Sequence, residues 1–351
     1  MNEYNEIINK LIIWYQFNAR DLPWRRTKDP YHIWLSEIML QQTRVEAVKP
    51  YFERFINTLP TIEALAHADE ETILKLWEGL GYYSRVRNLQ KAAQTVVAEY
   101  GGRLPADYLA LRKLKGVGPY TAGAIASIAF SLPYAAVDGN VLRVMSRLAA
   151  DARDITLAVT KAAWEEELTS VMPKGHEGTF TQALMELGAT VCLPNGMPKC
   201  QGCPVREHCQ AYKKNAVLQY PVKSPKKQRT KEYLSVFFMV EDGKIAISKR
   251  GEKGLLSALW QLPNCDREKA VPIALKDWGI ISGEIKNMKG QKHIFTHIEW
   301  HMDCYYVAVK HKEHNGFLWL DKDVIEKEYA LPSAFKKTWQ EGCHILEEEI
   351  K

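Results

Sequence analysis

Four of the chain's seven cysteines fall in one stretch, VCLPNGMPKCQGCPVREHC, as Cys192, Cys200, Cys203 and Cys209. The spacing is C-x7-C-x2-C-x5-C. Thiolates gather along a sequence when they share a metal centre, and a centre so far into a helical stretch serves to hold the fold together. Structural zinc with four cysteines typically uses two tight C-x2–4-C pairs. Here only Cys200–Cys203 is tight, so the looser spacing suits a 4Fe–4S cluster better. Zinc is the alternative, with a disulfide or free thiols the third reading. Cys265, Cys304 and Cys343 show no pairing pattern. Together with a thiolate centre this predicts a reducing, cytoplasmic setting.

The length of 351 residues predicts two domains. No apolar run is long enough to cross a bilayer. The start, MNEYNEIINKLIIWYQF, has Glu3 and Glu6 where a signal peptide needs basic residues. A net charge of +5 permits a polyanionic partner without requiring one.

Residues 1 to about 210 read as helices. Ile7, Ile8, Leu11, Ile12 and Tyr15 recur at helical spacing, and a second helix runs from about Tyr31 to Gln42. Asp69, Asp107 and Asp154 stand where helices need N-caps, and Gly101-Gly102 stops the helix before them. The segment 213–231 holds seven Lys/Arg, two prolines and no acidic residue. It reads as a linker that can also track phosphates. From Glu232 the pattern becomes α+β: YLSVFFMV and KIAISKR flank a hairpin turn at Glu241-Asp242-Gly243, and further strands follow in HIFTHIEWHMDCYYVAVK and FLWL. Helices are expected over 266–278 and 333–349.

Three motifs carry chemistry. LRKLKGVGPYTAGAIASIAF (111–130) is helix, glycine turn, helix: Gly116 and Gly118 can take angles closed to other residues, and Pro119 suits a first helical turn. Free backbone N–H groups at such a turn make an anion site, and a DNA phosphate is the obvious guest. Asp138, in AAVDGNVLRVMSRL, reads as an N-cap or as a carboxylate beside a reacting sugar. Glu37 is flanked by Trp34, Leu35, Ile38, Met39 and Leu40. Burial there favours the protonated form and suits a general acid; the bland alternative is a surface Glu beside Gln41 and Arg44.

The order LSEIMLQQT, LKGVGPYTAGAI, VDGNV and then a four-cysteine loop resembles the helix–hairpin–helix DNA glycosylases that carry an iron–sulfur cluster. Within them the chain is similar to the adenine-specific MutY branch, because GEKGLLSALWQLPN and HIFTHIEW resemble that branch's Nudix-like domain. The resemblance implies an all-α catalytic domain over 1–212, a basic linker over 213–231 and an α+β Nudix-like domain over 232–351. It implies a 4Fe–4S cofactor on Cys192, Cys200, Cys203 and Cys209, and a monomer acting on double-stranded DNA with adenine opposite 8-oxoguanine or guanine, at the nucleoid if the source is bacterial.

The resemblance also assigns residues. Glu37 becomes the acid that protonates the leaving adenine, Asp138 the carboxylate that stabilises an oxocarbenium-like sugar, and Tyr120 and Asn140 their support. Arg20, Leu22, Trp24, Arg25, Arg26 and Gln182 match pocket and lesion contacts. Gln42, Thr43 and Tyr82 match DNA-contacting positions, with Gln42 and Tyr82 entering the base stack. Gly116 and Gly118 belong to the hairpin. Phe295-Thr296-His297 stands where the family often has Phe-Ser-His, the loop that reads 8-oxoguanine. Bifunctional relatives carry a lysine where this chain has Tyr120. A phenol cannot form a Schiff base, and Leu142 supplies no amine, so a monofunctional enzyme is expected. After Gly254 the residues lack the carboxylate core of a working Nudix box, which argues against nucleotide hydrolysis. The first cysteine gap is one residue longer than the family's usual six, in a Pro/Gly-containing loop. Two rivals remain: a thymine or uracil mismatch glycosylase of the same superfamily, and a non-catalytic iron–sulfur DNA-binding protein.

Overall fold

The computed structural model describes residues 3–225, 228–313 and 316–350. The chain divides into two compact units, 1–68 with 84–225 and 69–83 with 226–351. No described helix is long and apolar enough to cross a membrane.

The first unit is helical, with no strand among its described residues. One core gathers Ile8 and Leu11 of the helix Glu3–Asn18, Val141, Val144 and Leu148 of Gly139–Ala149, Trp164 of Ala158–Ser170, and Phe180, Leu184 and Leu187 of Glu177–Thr190. Trp164 is 2% exposed; burying a large side chain of this kind is worth about 3 kcal/mol. The glycine-turn motif folds as expected, with Tyr108–Lys113 leading into Pro119–Ala124, which runs on into a single π-turn at Ile125–Ala129. Gly116 has φ +79°, and a Cβ there would meet the Asn88 Cβ at 2.9 Å. Gly118 departs from expectation: its φ is −82° and a Cβ would meet nothing within 4 Å. Neither its backbone angle nor its surroundings require a glycine.

Of the expected caps, Asp107 accepts from Ala110 N. Asp154 does not cap a helix. Its carboxylate accepts from Thr156 N and from Ser224 N, and the helix begins later, at Ala158. The same contact corrects the linker. Residues 213–225 belong to the helical unit: Arg147 Nε donates to Val217 O and Tyr220 O, each at 3.0 Å, and Ile155 N donates to Val222 O. A buried guanidinium that collects carbonyls overrides the tendency of a basic segment to extend.

In the second unit, Asp69 caps Glu70–Trp77 by accepting from Thr72 N. A seven-stranded mixed sheet follows the order β3-β2-β1-β6-β5, with β4 beside β1 and β7 beside β2. The strands are β1 Thr230–Glu241, β2 Lys244–Lys249, β3 Trp260–Gln261, β4 Asn264–Asp266, β5 Ile280–Ile294, β6 Ile298–Lys312 and β7 Leu318–Leu320. β1 runs parallel to β6 over Thr230–Val240. Side chains of β1 alternate between two cores: Phe237 and Met239 pack with Ala274 and Leu275 of the helix Val271–Asp277, and Phe238 packs with Trp339, Cys343 and Leu346 of Lys336–Ile350. Helices on both faces explain why the strand reads as an unbroken apolar run. The β1–β2 turn has Asp242 and Gly243 at φ +50° and +76°, as a two-residue hairpin demands.

Candidate active site and the cysteine cavity

A cavity of about 680 Å³ opens in the helical unit, and residues from Arg20 to Ala189 meet on its wall. Glu37 comes from the helix Pro30–Leu40, whose residues Tyr31 to Met39 are buried almost without a break. It is 6% exposed, so the surface reading fails. Tyr120, in the first turn after the glycine hairpin, donates its hydroxyl to Glu37 Oε2 at 2.5 Å. Burial pushes the Glu37 carboxyl up to about 7; the Tyr120 hydrogen bond pulls it down, the Asp138 charge pushes it further up, and Arg25 pulls it down.

Asp138 takes up the N-cap reading. It caps Gly139–Ala149: Oδ1 accepts from Asn140 N at 2.9 Å and Val141 N at 2.8 Å. Its other oxygen accepts from Asn140 Nδ2 at 2.6 Å, and the carboxylate lines the cavity. Burial raises its pKa against the pull of these N–H groups. One helix start thus holds a carboxylate at a fixed place facing the cavity. Gly188 makes room for this arrangement, because a Cβ there would lie 2.6 Å from the Asn140 Cβ.

Arg20, Leu22, Trp24, Arg25, Gln42, Thr43, Gly116, Gly118, Asn140 and Gln182 also reach the cavity wall. Arg26 does not. It pairs with Asp21 on the surface, its side chain 63% exposed. Gln42 stands in the left-handed region at φ +57°. Sequence reasoning missed the residue that fixes its turn: buried Arg85 donates from Nη1 to Ile38 O, Met39 O and Gln41 O at 2.8, 3.1 and 2.6 Å. It also missed Glu186, which lies four residues, one helical turn, after Gln182 on the same helix face. Lys161 lines the cavity too, with Nζ 4.0 Å from Glu165.

Tyr82 and the Phe295-Thr296-His297 turn lie in the second unit. Tyr82, at φ +50° and 44% exposed, shares a 2.7 Å hydrogen bond between its hydroxyl and the Thr296 hydroxyl. Phe295 packs edge-on to Trp300 at 4.9 Å, and Arg229 donates to its carbonyl. Thr296 and His297 are exposed between β5 and β6.

The four clustered cysteines are free thiols that line one small cavity walled by Val144, Leu148, Leu187, Val191, Val205 and Val217. Among the described residues, no three His, Cys, Asp or Glu side chains converge tightly enough for a single metal ion. Four cysteine side chains on one cavity wall are the donor set of a thiolate-held centre. Arg147 Nη1 lies 3.2 Å from Cys192 Sγ, a cation placed beside a site that thiolates would make negative. The longer first gap is absorbed outward: Gly196 is left-handed, Met197 is exposed, and Lys199 N returns to Val191 O.

The profile of the HhH-GPD superfamily base excision DNA repair proteins matches residues 35–171, and that of the NUDIX domain matches 235–341. The chain is 33% identical to the adenine DNA glycosylase of Mus musculus, over 96% of this chain and 74% of that protein. It is 35% identical to the adenine DNA glycosylase of Buchnera aphidicola from Schizaphis graminum, over 84% of this chain and 86% of that one. The chain belongs to the adenine DNA glycosylase family. It is therefore an N-glycosylase of base excision repair that acts on DNA and removes adenine. Among solved structures, a thermostable thymine-DNA glycosylase is 30% identical with a TM-score of 0.55, covering 60% of this chain and 97% of that one. An endonuclease III–DNA complex, 24% identical with a TM-score of 0.51, shares the helical fold. Glu37, Asp138 and Glu186 are the carboxyl groups on the wall of the cavity in this adenine glycosylase.

Proposed function

We propose that the enzyme flips adenine out from opposite 8-oxoguanine or guanine and hydrolyses its glycosidic bond without cutting the strand. The observation that carries this reading is the Tyr120–Glu37 hydrogen bond beside the capped Asp138. Extruding a base costs a few kcal/mol, least for a mispair. A carboxyl with its pKa raised to about 7 is protonated in about half of the molecules at neutral pH and can deliver that proton to the N7 of adenine, which otherwise leaves as a poor anionic group. Tyr120 fixes the orientation of that carboxyl. As the bond breaks, positive charge develops on the sugar, and the Asp138 carboxylate, already aimed by three N–H donors, stabilises it without reorganising. Water then completes the hydrolysis.

Strand cleavage would need an amine at the anomeric carbon, and the hairpin offers the Tyr120 phenol instead. Thr296, with Tyr82 bonded to it, serves recognition of the lesion strand in this reading, and the Nudix-like domain recognises rather than hydrolyses. The thiols of Cys192, Cys200, Cys203 and Cys209 would hold a 4Fe–4S cluster, which supplies a structural tie at the end of the helical unit. The protein would act as a monomer, in the cytoplasm at the nucleoid if its source is bacterial.

Purified protein is incubated with duplexes carrying A·8-oxoguanine, A·G, T·G and U·G, and abasic sites are scored with and without alkali. Release of adenine alone, with strand breaks only after alkali, is expected. Thymine or uracil release would move the chain to the mismatch branch. A borohydride-trapped DNA adduct would overturn the monofunctional reading, and Lys161→Ala would then test the one lysine lining the cavity.

A further inference from the structure

Glu186 has no part in the reaction as derived, yet it is among the most completely enclosed acids of the molecule, at 0% exposure. It stands on the wall of the acid cavity and gathers two arginines. Arg20 donates to it three times, from N at 3.1 Å, Nε at 2.7 Å and Nη2 at 2.9 Å. Arg25 donates to Oε2 at 2.7 Å. Burial works against ionisation of Glu186, but the Arg20 and Arg25 hydrogen bonds prevail and hold its pKa below the usual carboxylate value. A buried carboxylate with two guanidiniums is a unit whose members are costly to separate, because any one left alone keeps an uncompensated charge.

The unit extends further. Arg25 lies over the Tyr15 ring at 5.5 Å, and Tyr15 donates to Gln182 Oε1 at 3.1 Å. The arginines and Gln182, which reach the cavity from opposite ends of the helical domain's sequence, are thus tied to one helix face through Glu186. The groups that face Glu37 around this cavity are Tyr120, Asp138, Arg25, Arg20, Lys161 and Glu186 itself. Among the cations, Arg25 is the one whose charge already pulls on Glu37.

We propose that Glu186 is the positioning residue of the base pocket: it clamps Arg20 and Arg25 to the cavity wall and keeps Arg25 from pairing with Glu37. This rests on the reading of Glu37 as the general acid. Without the clamp, a freed Arg25 has Glu37 as a carboxylate within the same cavity. An arginine paired there would favour the ionised form and remove the proton needed at adenine. The acid thus keeps its proton partly because another, fully enclosed acid satisfies the neighbouring cations.

The test uses the full-length protein and Glu186→Gln, with Glu186→Asp as the conservative variant and Glu186→Gln/Arg25→Met as the double variant. The Glu37 carboxyl is followed against pH by carbon-13 NMR in protein labelled at the glutamate side-chain carboxyl carbon, and adenine release is followed under single turnover. In Glu186→Gln the Glu37 midpoint is expected to fall by at least one pH unit. The alkaline limb of adenine release should move down with it, and the rate at pH 8 should fall about tenfold or more. Glu186→Asp should recover most of the shift, and the double variant should return the midpoint to the wild-type value or above. A folded Glu186→Gln protein with an unmoved midpoint and pH profile would overturn the proposal. If Glu186→Gln does not fold, Arg25→Met alone decides: a clamped Arg25 predicts a midpoint rise of less than one unit, and a larger rise overturns the clamp. A wild-type protein that releases no adenine would end the proposed reaction, while the NMR titration would still judge the clamp.

Discussion

The helical unit holds two cavities that share a helix and differ in nearly everything else. Gly139–Ala149 begins at the acid cavity, where Asp138 caps it and Asn140 supports the cap. Two turns on, it reaches the cysteine loop, where Arg143 donates to Cys192 O at 2.7 Å and Arg147 lies against Cys192 Sγ. Arg143 touches both ends, since its Nη2 also donates to Asn140 Oδ1 at 2.9 Å. The acid cavity is large and lined by charges, each held by a named partner. The thiol cavity is small and walled mainly by valine and leucine, with Arg147 and Arg206 as its charged residues. Water-excluding apolar walls suit a group that is only to be held; fixed charges suit a group that is to react. In the proposed reading one helix serves a reactive site and a structural one, and the two should respond differently to substitution.

The largest expected difference lies at Asp138. Asp138→Asn keeps an N-cap of equal quality but removes the charge, so adenine release should fall about a thousandfold or more while the melting temperature holds. Substantial release by this variant would break the contrast between the two cavities. Glu37→Gln should be as inactive, and it gives a second signature in stability. The folded pKa of about 7 lies above the ordinary 4.5, so the folded state binds the proton more tightly than the unfolded state does. Stability is full below pH 4.5 and is lost as pH rises through 7, by about 3 kcal/mol in all. Gln stays neutral and accepts from Tyr120 as the protonated acid does. Glu37→Gln should therefore melt with the wild type at pH 4.5 and above it at pH 8. Equal melting at both values would show that Glu37 is ionised throughout.

The two cavities also differed in how far the sequence disclosed them. The thiols were legible as a group because they fall in one short stretch, and they line one cavity. Glu37 was legible because five apolar neighbours on a helix of 11 residues left it nowhere polar to turn. Asp138 carried two readings: the N-cap reading holds, and the fixed geometry of a cap is also what the proposed active-site role needs. Glu186 was invisible for the opposite reason: its partners Arg20 and Arg25 lie more than 160 residues away. The i, i+4 spacing from Gln182 was the one local sign. Arg26 was carried along by its neighbours, yet a short 3-10 turn at Pro23–Arg25 points it outward to Asp21. Asp154 had the look of a cap, but Ser224 offered its carboxylate two donors and the helix start moved downstream. Residues 69–83 sit inside the helical domain's sequence and pack with the sheet, where Glu71 accepts from Trp260 Nε1 and Glu78 from Leu331 N. No composition change marks that allegiance, because it is made by partners and not by the segment itself.

At the other cavity the effects should be reversed in kind. Cys203→Ser removes one thiol from the small cavity and should abolish the visible absorption of an iron–sulfur centre. The melting temperature should fall by roughly 10 °C, since binding energy at such a site is folding energy. Adenine release per folded molecule should fall far less than in Asp138→Asn. A Cys203→Ser protein of wild-type stability but no activity would place the cysteine loop on the chemical side of the comparison.

The smallest effect separates the two duties of Asp138. Asp138→Ala loses the charge and the cap together. Relative to Asp138→Asn it should lose no further activity that can be measured, but about 1 kcal/mol of stability, a shift of roughly 3 °C for a unit of this size. The sign follows from the carboxylate's surroundings. Burial has already raised its pKa, so the charge itself does not stabilise the fold, and the two hydrogen bonds to Asn140 N and Val141 N do. Calorimetry of the two variants side by side checks this. If Asp138→Asn is as destabilised as Asp138→Ala, the charge is what holds the helix. The acid cavity would then be a structural site as much as the cysteine cavity is.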